Sequence, residues 1–216
     1  MSPREHIAAP RRCPHMTGPI RILPFLAALL LPFAAHAQAA APLDIAGSTL
    51  LWRASKMTGE HAGGLTVKKG LLTADGGLLL AADITVDMTT ITCTDITNAG
   101  SNKRLVDHLR SADFFHVEEH PEAVFRTTRV EALEAAPGKP NFRVTGDLVI
   151  KGISHPNTFD CLVWRDGGVL RAAARLVFDR TKYDIRYRSG VFFPDLGDKM
   201  IHDEVSLTFD IRTVQP

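Results

Sequence analysis

The residues that could do chemistry in this chain are histidines, carboxylates and two cysteines, and their spacing argues mostly against catalysis. His116-Val117-Glu118-Glu119-His120 places two histidines four apart. A helical zinc site of that spacing carries its glutamate directly after the first histidine, as base between two ligands on one face. Here Val117 stands there, and Pro121 disfavours helix at His120. The two rings then need not share a face, and no metal is expected. His108 sits between Asp107 and Arg110, which suits a surface ion pair better than an acid or base. A catalytic reading would draw on His108, Asp113 and His120. Gly-x-Ser-x-Gly is absent, so there is no nucleophile elbow. Gly63-Gly64 lacks the further spacing of a dinucleotide loop. Arg180, Lys182, Arg186, Arg188 and Lys199 gather in one connection. They read as a solvated loop crossed by ion pairs with Asp179, Asp184, Asp195 and Asp198, or as a polar collar in which Arg180, Lys182 and Arg186 meet a ligand head group.

These residues need elements to hold them, and the first stretch of chain supplies none. Arg21, the apolar run 22–35 and Ala35-His36-Ala37 form a signal-peptide pattern with cleavage expected after Ala37. Met1 or Met16 could be the start. Removing residues 1–37 leaves 21 basic against 23 acidic side chains, a net charge of −2. Such a surface offers nothing to nucleic acid. The run is too short and too broken by Pro24 and Pro32 to span a membrane, so an exported, periplasmic protein without a stable membrane anchor is expected. Residues 38–42 read as a tether and 43–216 as a single domain. Of the cysteines, Cys93 and Cys161 survive cleavage; in an oxidising compartment they are either bridged or simply buried.

The period of residues 43–216 is two. Phe142, Val144, Gly146, Leu148 and Ile150 alternate with polar neighbours. So do Leu170, Ala172, Ala174, Leu176 and Phe178, and Val205, Leu207, Phe209 and Ile211. One apolar and one wet face mark antiparallel sheet. Strands are expected near 48–56, 62–73, 78–88, 122–132, 141–151, 157–165, 169–178 and 203–212. Hairpin signals stand at Asp75-Gly76-Gly77 and Asp166-Gly167-Gly168. One short helix is expected near 101–111, with Ser101 as its cap and with Leu105 and Leu109 on its apolar side. The small inward residues Gly146, Ala172 and Ala174 leave volume for a ligand, unless Phe142, Phe178 and Phe209 fill it from opposite.

Several ordered segments carry a resemblance. Leu51-Trp52, Lys56 and His61-Ala62-Gly63 come first, then 86–91. His108-Leu109-Arg110-Ser111-Ala112-Asp113-Phe114-Phe115 leads into His120-Pro121 and Phe125. Gly146-Asp147-Leu148-Val149-Ile150-Lys151-Gly152-Ile153 and Asp179-Arg180-Thr181-Lys182-Tyr183 complete the set. Together they are similar to the YceI-like family. The resemblance implies an all-β fold: an eight-stranded antiparallel up-and-down β-barrel, lipocalin-like, exported to the periplasm, holding a polyisoprenoid or isoprenoid quinone in an apolar tube. On that reading Leu105, Leu109 and Phe115 cover the opening. The tube is lined by Phe142, Val144, Gly146, Leu148, Ile150, Leu170, Ala172, Ala174, Leu176, Val205, Leu207 and Phe209. No cofactor is expected beyond the lipid, and a homodimer is left open. An enzyme, or a ligand-free barrel acting through a protein partner, are the competing readings.

Overall fold

The computed structural model describes residues 39–75 and 78–215. The expected leader and the Gly76-Gly77 turn lie outside these residues. Nine strands follow one another: β1 Ala39–Pro42, β2 Thr49–Lys56, β3 Gly59–Asp75, β4 Leu78–Asp87, β5 Glu122–Ala132, β6 Phe142–Ile150, β7 Ile153–Asp166, β8 Val169–Asp179 and β9 Ile201–Arg212. Eight of them, β2 to β9, pair antiparallel with their chain neighbours, and β2 pairs with β9 to close an up-and-down barrel. Every expected strand is present to within a few residues, because alternation with one buried face is what a barrel wall requires.

The residues read as a tether behave differently. Ala39–Pro42 are strand β1, paired with Leu71–Ala74 at the far end of the long β3. A bridge between Leu43 and Thr213 ties the same segment to the end of β9. β1 therefore fills the edge that β3 exposes once it outruns β2.

The helix, α1, spans Ala99–Arg110. It starts two residues earlier than expected, because Asn98 rather than Ser101 caps it, its side chain accepting from the Ser101 N–H. His108 and Arg110 in its last turn suit the negative end of the helix dipole. The segment before α1 lies against β3: Thr92 N–H donates to Gly64 O at 3.0 Å and Thr94 N–H to Ala62 O at 2.9 Å. That approach requires Gly63, since a Cβ there would stand 1.8 Å from Thr92 O. Trp52 Nε1 donates to the same carbonyl at 2.9 Å.

One stretch of wall is unzipped. β7 pairs with β8 only from Cys161 opposite Ala174 to Asp166 opposite Val169. The first half of β7 pairs with β6 alone, and the second half of β8 with β9 alone. Side chains span this seam instead: Asn157 Nδ2 donates to Val177 O at 2.8 Å, and His155 Nε2 meets Lys182 O at 2.9 Å. Among the described residues, no helix is long and apolar enough to cross a membrane.

Candidate functional site: an apolar cavity at the helix end of the barrel

The barrel interior has two unlike ends. At the end away from α1, Leu43, Leu72, Leu79, Phe142, Val144, Val163, Leu170 and Ala172 are all buried. None of them borders the cavity at the other end. That cavity measures about 120 Å³ and its wall is apolar throughout. Phe125, Phe159 and Phe209 stand in a row at its inner limit, with ring centroids 5.3 and 5.6 Å apart. α1 and its exit cover the outer side with Leu109, Phe114 and Phe115.

Of the residues expected to line a tube, Leu109, Phe115, Leu148, Ile150, Leu176, Val205, Leu207 and Phe209 border the cavity. Phe142, Val144, Leu170 and Ala172 are inward but belong to the packed end. Leu105 and Ala174 are partly buried against the core without reaching the cavity. Gly146 provides no width. A Cβ there would stand 2.4 Å from both Arg126 O and the Phe125 ring, so the space it leaves is already filled by that ring. Among the residues that the sequence reading passed over, Leu50, Trp52 and Ala54 of β2, Ala123 and Phe125 of β5, and Phe159 of β7 also line the wall. The alternation of Leu50, Trp52 and Ala54 carried the signal, as did that of Ile84, Val86 and Met88, which also line it.

Of the two readings of Arg180, Lys182 and Arg186, a solvated loop or a head-group collar, the collar does not form. Arg180 borders the cavity but its side chain is only 2% exposed. Its guanidinium donates to the carbonyls of Ile185, Tyr187, Ile201 and His202 and pairs with Asp203 at 3.0 Å. Burial opposes its charge, and the four carbonyls with Asp203 keep it in place. It is a clamp that ties the 180–200 connection across the barrel end. Lys182 and Arg186 are exposed, and Arg186 pairs with Asp184 at 2.7 Å. Arg186 also lies 4.8 Å over the Phe192 ring. Beside that ring, Val191 and Phe193 point outward, 76% and 46% exposed. Tyr183 is buried next to this loop, and burial pushes its hydroxyl up to about 12.

The polar candidates fall into separate places. His108 Nε2 lies 3.0 Å from Asp113 Oδ2, and its ring meets Phe114 and Tyr187 edge-on at 4.9 and 4.6 Å. His120 is elsewhere. It sits with His116 and Glu119, ring centroids of the two histidines 5.9 Å apart. The stretch is not helical, as Pro121 leads one to expect, yet the two rings still lie close together. They meet through a turn instead of a helix, with His116 at φ 48° and His120 N–H donating to His116 O. A second group of His61, Cys93 and Asp95 lies between β3 and the segment before α1.

The cysteines are not bridged: Cys93 and Cys161 are both free and both buried. Burial pushes the Cys161 thiol up to about 12, and burial also raises that of Cys93.

A YceI-like domain model matches residues 42–213. The chain belongs to the YceI-like family. Curated relatives agree over shorter stretches. The protein YceI of Escherichia coli is 28% identical over 133 residues, 62% of each chain. A UPF0312 protein of Photorhabdus laumondii is 32% identical over 108 residues, 50% of this chain and 52% of its own. A UPF0312 protein of Azotobacter vinelandii is 41% identical over 49 residues, 23% of each. The matched stretches thus span between about a quarter and under two thirds of these relatives. Two solved structures share the barrel. Burkholderia cenocepacia BcnA covers 80% of this chain and 99% of its own at TM-score 0.61 and 21% identity. A polyisoprenoid binding domain from Saccharophagus degradans covers 83% and 100% at TM-score 0.56 and 14% identity.

Proposed function

We propose that this YceI-like protein is a binding or carrier protein for an apolar isoprenoid lipid, exported by its leader to the periplasm, and not an enzyme. The observation that carries the reading is the helix-end cavity: the surface it exposes is apolar, and among the described residues the one cation that borders it, Arg180, is committed to four carbonyls and Asp203. Such a site rewards burial of hydrocarbon, about 0.8 kcal/mol per methylene before ordering costs. It offers no group to activate a bond. The His108–Asp113 pair has its imidazole packed on two aromatic rings, with no nucleophile bonded to it. The polyisoprenoid-binding barrel of Saccharophagus degradans supports the same ligand class.

Size sets a condition on the ligand. A cavity of about 120 Å³ suits a benzene-sized guest, below the ~300 Å³ of ordinary ligand sites. A longer prenyl chain needs the mouth to yield. The stretch of wall least held against this is the seam between β7 and β8, which side chains cross but no backbone ladder does. The exposed Val191–Phe193 tip stands where the 180–200 connection could meet the membrane that supplies the lipid.

The test is extraction of the protein, purified under native conditions from its exported fraction, into organic solvent followed by mass spectrometry. An isoprenoid near one equivalent per chain is the expected result, on a chain beginning at Gln38. Protein that carries no lipid and takes up none from isoprenoid-doped vesicles would leave the ligand-free barrel as the better account.

A further inference from the structure

Outside the cavity, one cluster brings three different metal-ligating groups together. Asp95 Oδ2 lies 2.8 Å from His61 Nδ1, and Asp95 Oδ1 accepts from the Cys93 thiol at 3.3 Å. The candidate ligand atoms of all three residues lie within 4.8 Å of one another. Their positions are built into the backbone. Two hydrogen bonds hold the 92–94 segment against Ala62 and Gly64 of β3, Gly63 permits the approach, and the Ala62 N–H donates to Asp95 Oδ1 at 2.8 Å. Asn102 of α1 donates to the carbonyls of Cys93 and Ile96 at 2.8 and 3.0 Å, which fixes the segment from the other side.

The arrangement does not suit a nucleophile. A catalytic thiol needs the imidazole beside it, and here the carboxylate stands between thiol and ring. It does suit a cation. We propose that His61, Cys93 and Asp95 bind one thiophilic divalent cation, zinc by its ligand set, with solvent completing the tetrahedron. The two protons now bridging the cluster lie where the ion would sit. Binding releases the thiol proton to solvent, and the imidazole carries its remaining proton on Nε2. Thiolate and carboxylate then neutralise the dication. The second cluster, His116, Glu119 and His120, lacks a thiol, and its Glu119 side chain is 66% exposed. It is the control site.

The experiment titrates the protein with Co²⁺ and then Zn²⁺, following the near-ultraviolet charge-transfer band that only a cobalt thiolate gives. One equivalent of Co²⁺ should produce the band and Zn²⁺ should abolish it. Cys161→Ser and the double variant His116→Gln/His120→Gln should behave as wild type. Cys93→Ser should lose the band, and in it and in His61→Gln the Zn²⁺ affinity should fall by more than about tenfold, the least that losing an outer-shell partner costs. Should Cys93→Ser fold poorly, alkylation of the wild type decides: Zn²⁺ should protect Cys93, located by mass spectrometry of the labelled peptides. Absence of the band, unchanged Zn²⁺ affinity in folded Cys93→Ser, or alkylation of Cys93 indifferent to Zn²⁺ would each overturn the assignment.

Discussion

The two ends of this barrel are built from the same alternating strands, yet one is packed and the other hollow. On β6, Phe142 and Val144 belong to the packed end, while Leu148 and Ile150, a few positions along the same inward row, border the cavity. On β8 the change falls between Ala172 and Leu176. Residue type does not distinguish them. Closure does. The packed end is plugged by Leu43, buried directly after β1, whose backbone pairing with β3 holds it there. The helix end is spanned by α1 and the 180–200 connection, which bridge the opening without filling it. A lid that spans needs its own polar anchors, and Arg180 with its carbonyl partners supplies them.

The largest effect expected from disturbing this contrast is at that anchor. Arg180→Leu removes the donor from four carbonyls and leaves Asp203 with the Ser189 hydroxyl alone, and breaking a buried pair in this way costs about 3–5 kcal/mol. The denaturation midpoint measures it. A variant as stable as wild type would mean that the lid holds by packing alone, and the two ends would then differ less than described.

A smaller, paired effect separates the ends directly. Ala172→Phe overpacks the filled end and should cost about 1–3 kcal/mol while leaving lipid loading in place. Ala54→Phe projects into the cavity and should expel the lipid with a smaller loss of stability. Bound isoprenoid per chain, read beside each midpoint, checks both. Loss of lipid in Ala172→Phe with retention in Ala54→Phe would invert the assignment of the ends.

The smallest effect lies on the surface beside the lid. Burial alone would raise the Asp95 carboxyl, but the Ala62 N–H, His61 and the Cys93 thiol bring it down to about 2. A carboxylate depressed in the fold contributes stability above its unfolded value of about 3.9, and that contribution is lost as pH falls toward 2. The Ala62 amide resonance, whose proton Asp95 accepts, should therefore titrate near 2. A midpoint near 4 would show that the segment before α1 is not held as described.

Strand order, the helix and the inward faces were legible because period-two alternation reports which side of a wall a residue faces. It does not report height along the barrel, and so it could not tell the Ala172 level from the Leu176 level. Gly146 misleads for a related reason: the space beside a glycine belongs to whichever neighbour reaches it, here Phe125 from β5. β1 was missed because Ala39–Pro42 pair through backbone alone, with no apolar rhythm to betray a strand. Arg180 reads as a solvated cation, since nothing local announces that four carbonyls will converge on it. The His116–His120 pairing depends on a left-handed residue at His116, which no helical spacing rule anticipates.

The seam between β7 and β8 has a further consequence, for association. Where the ladder stops, a closed barrel regains what closure ordinarily abolishes: strand borders with unused backbone donors and acceptors, each a template for an incoming chain. The residues along the β7 border answer to that hazard. Pro156 sits within the unzipped stretch, where a proline is tolerated because it lacks the N–H a ladder would demand. One position on, Asn157 turns its amide across the gap to Val177 O, occupying an acceptor that a foreign strand would need. Pro156 thus denies an incoming strand a donor along this border, and Asn157 keeps an acceptor occupied for as long as the seam is closed.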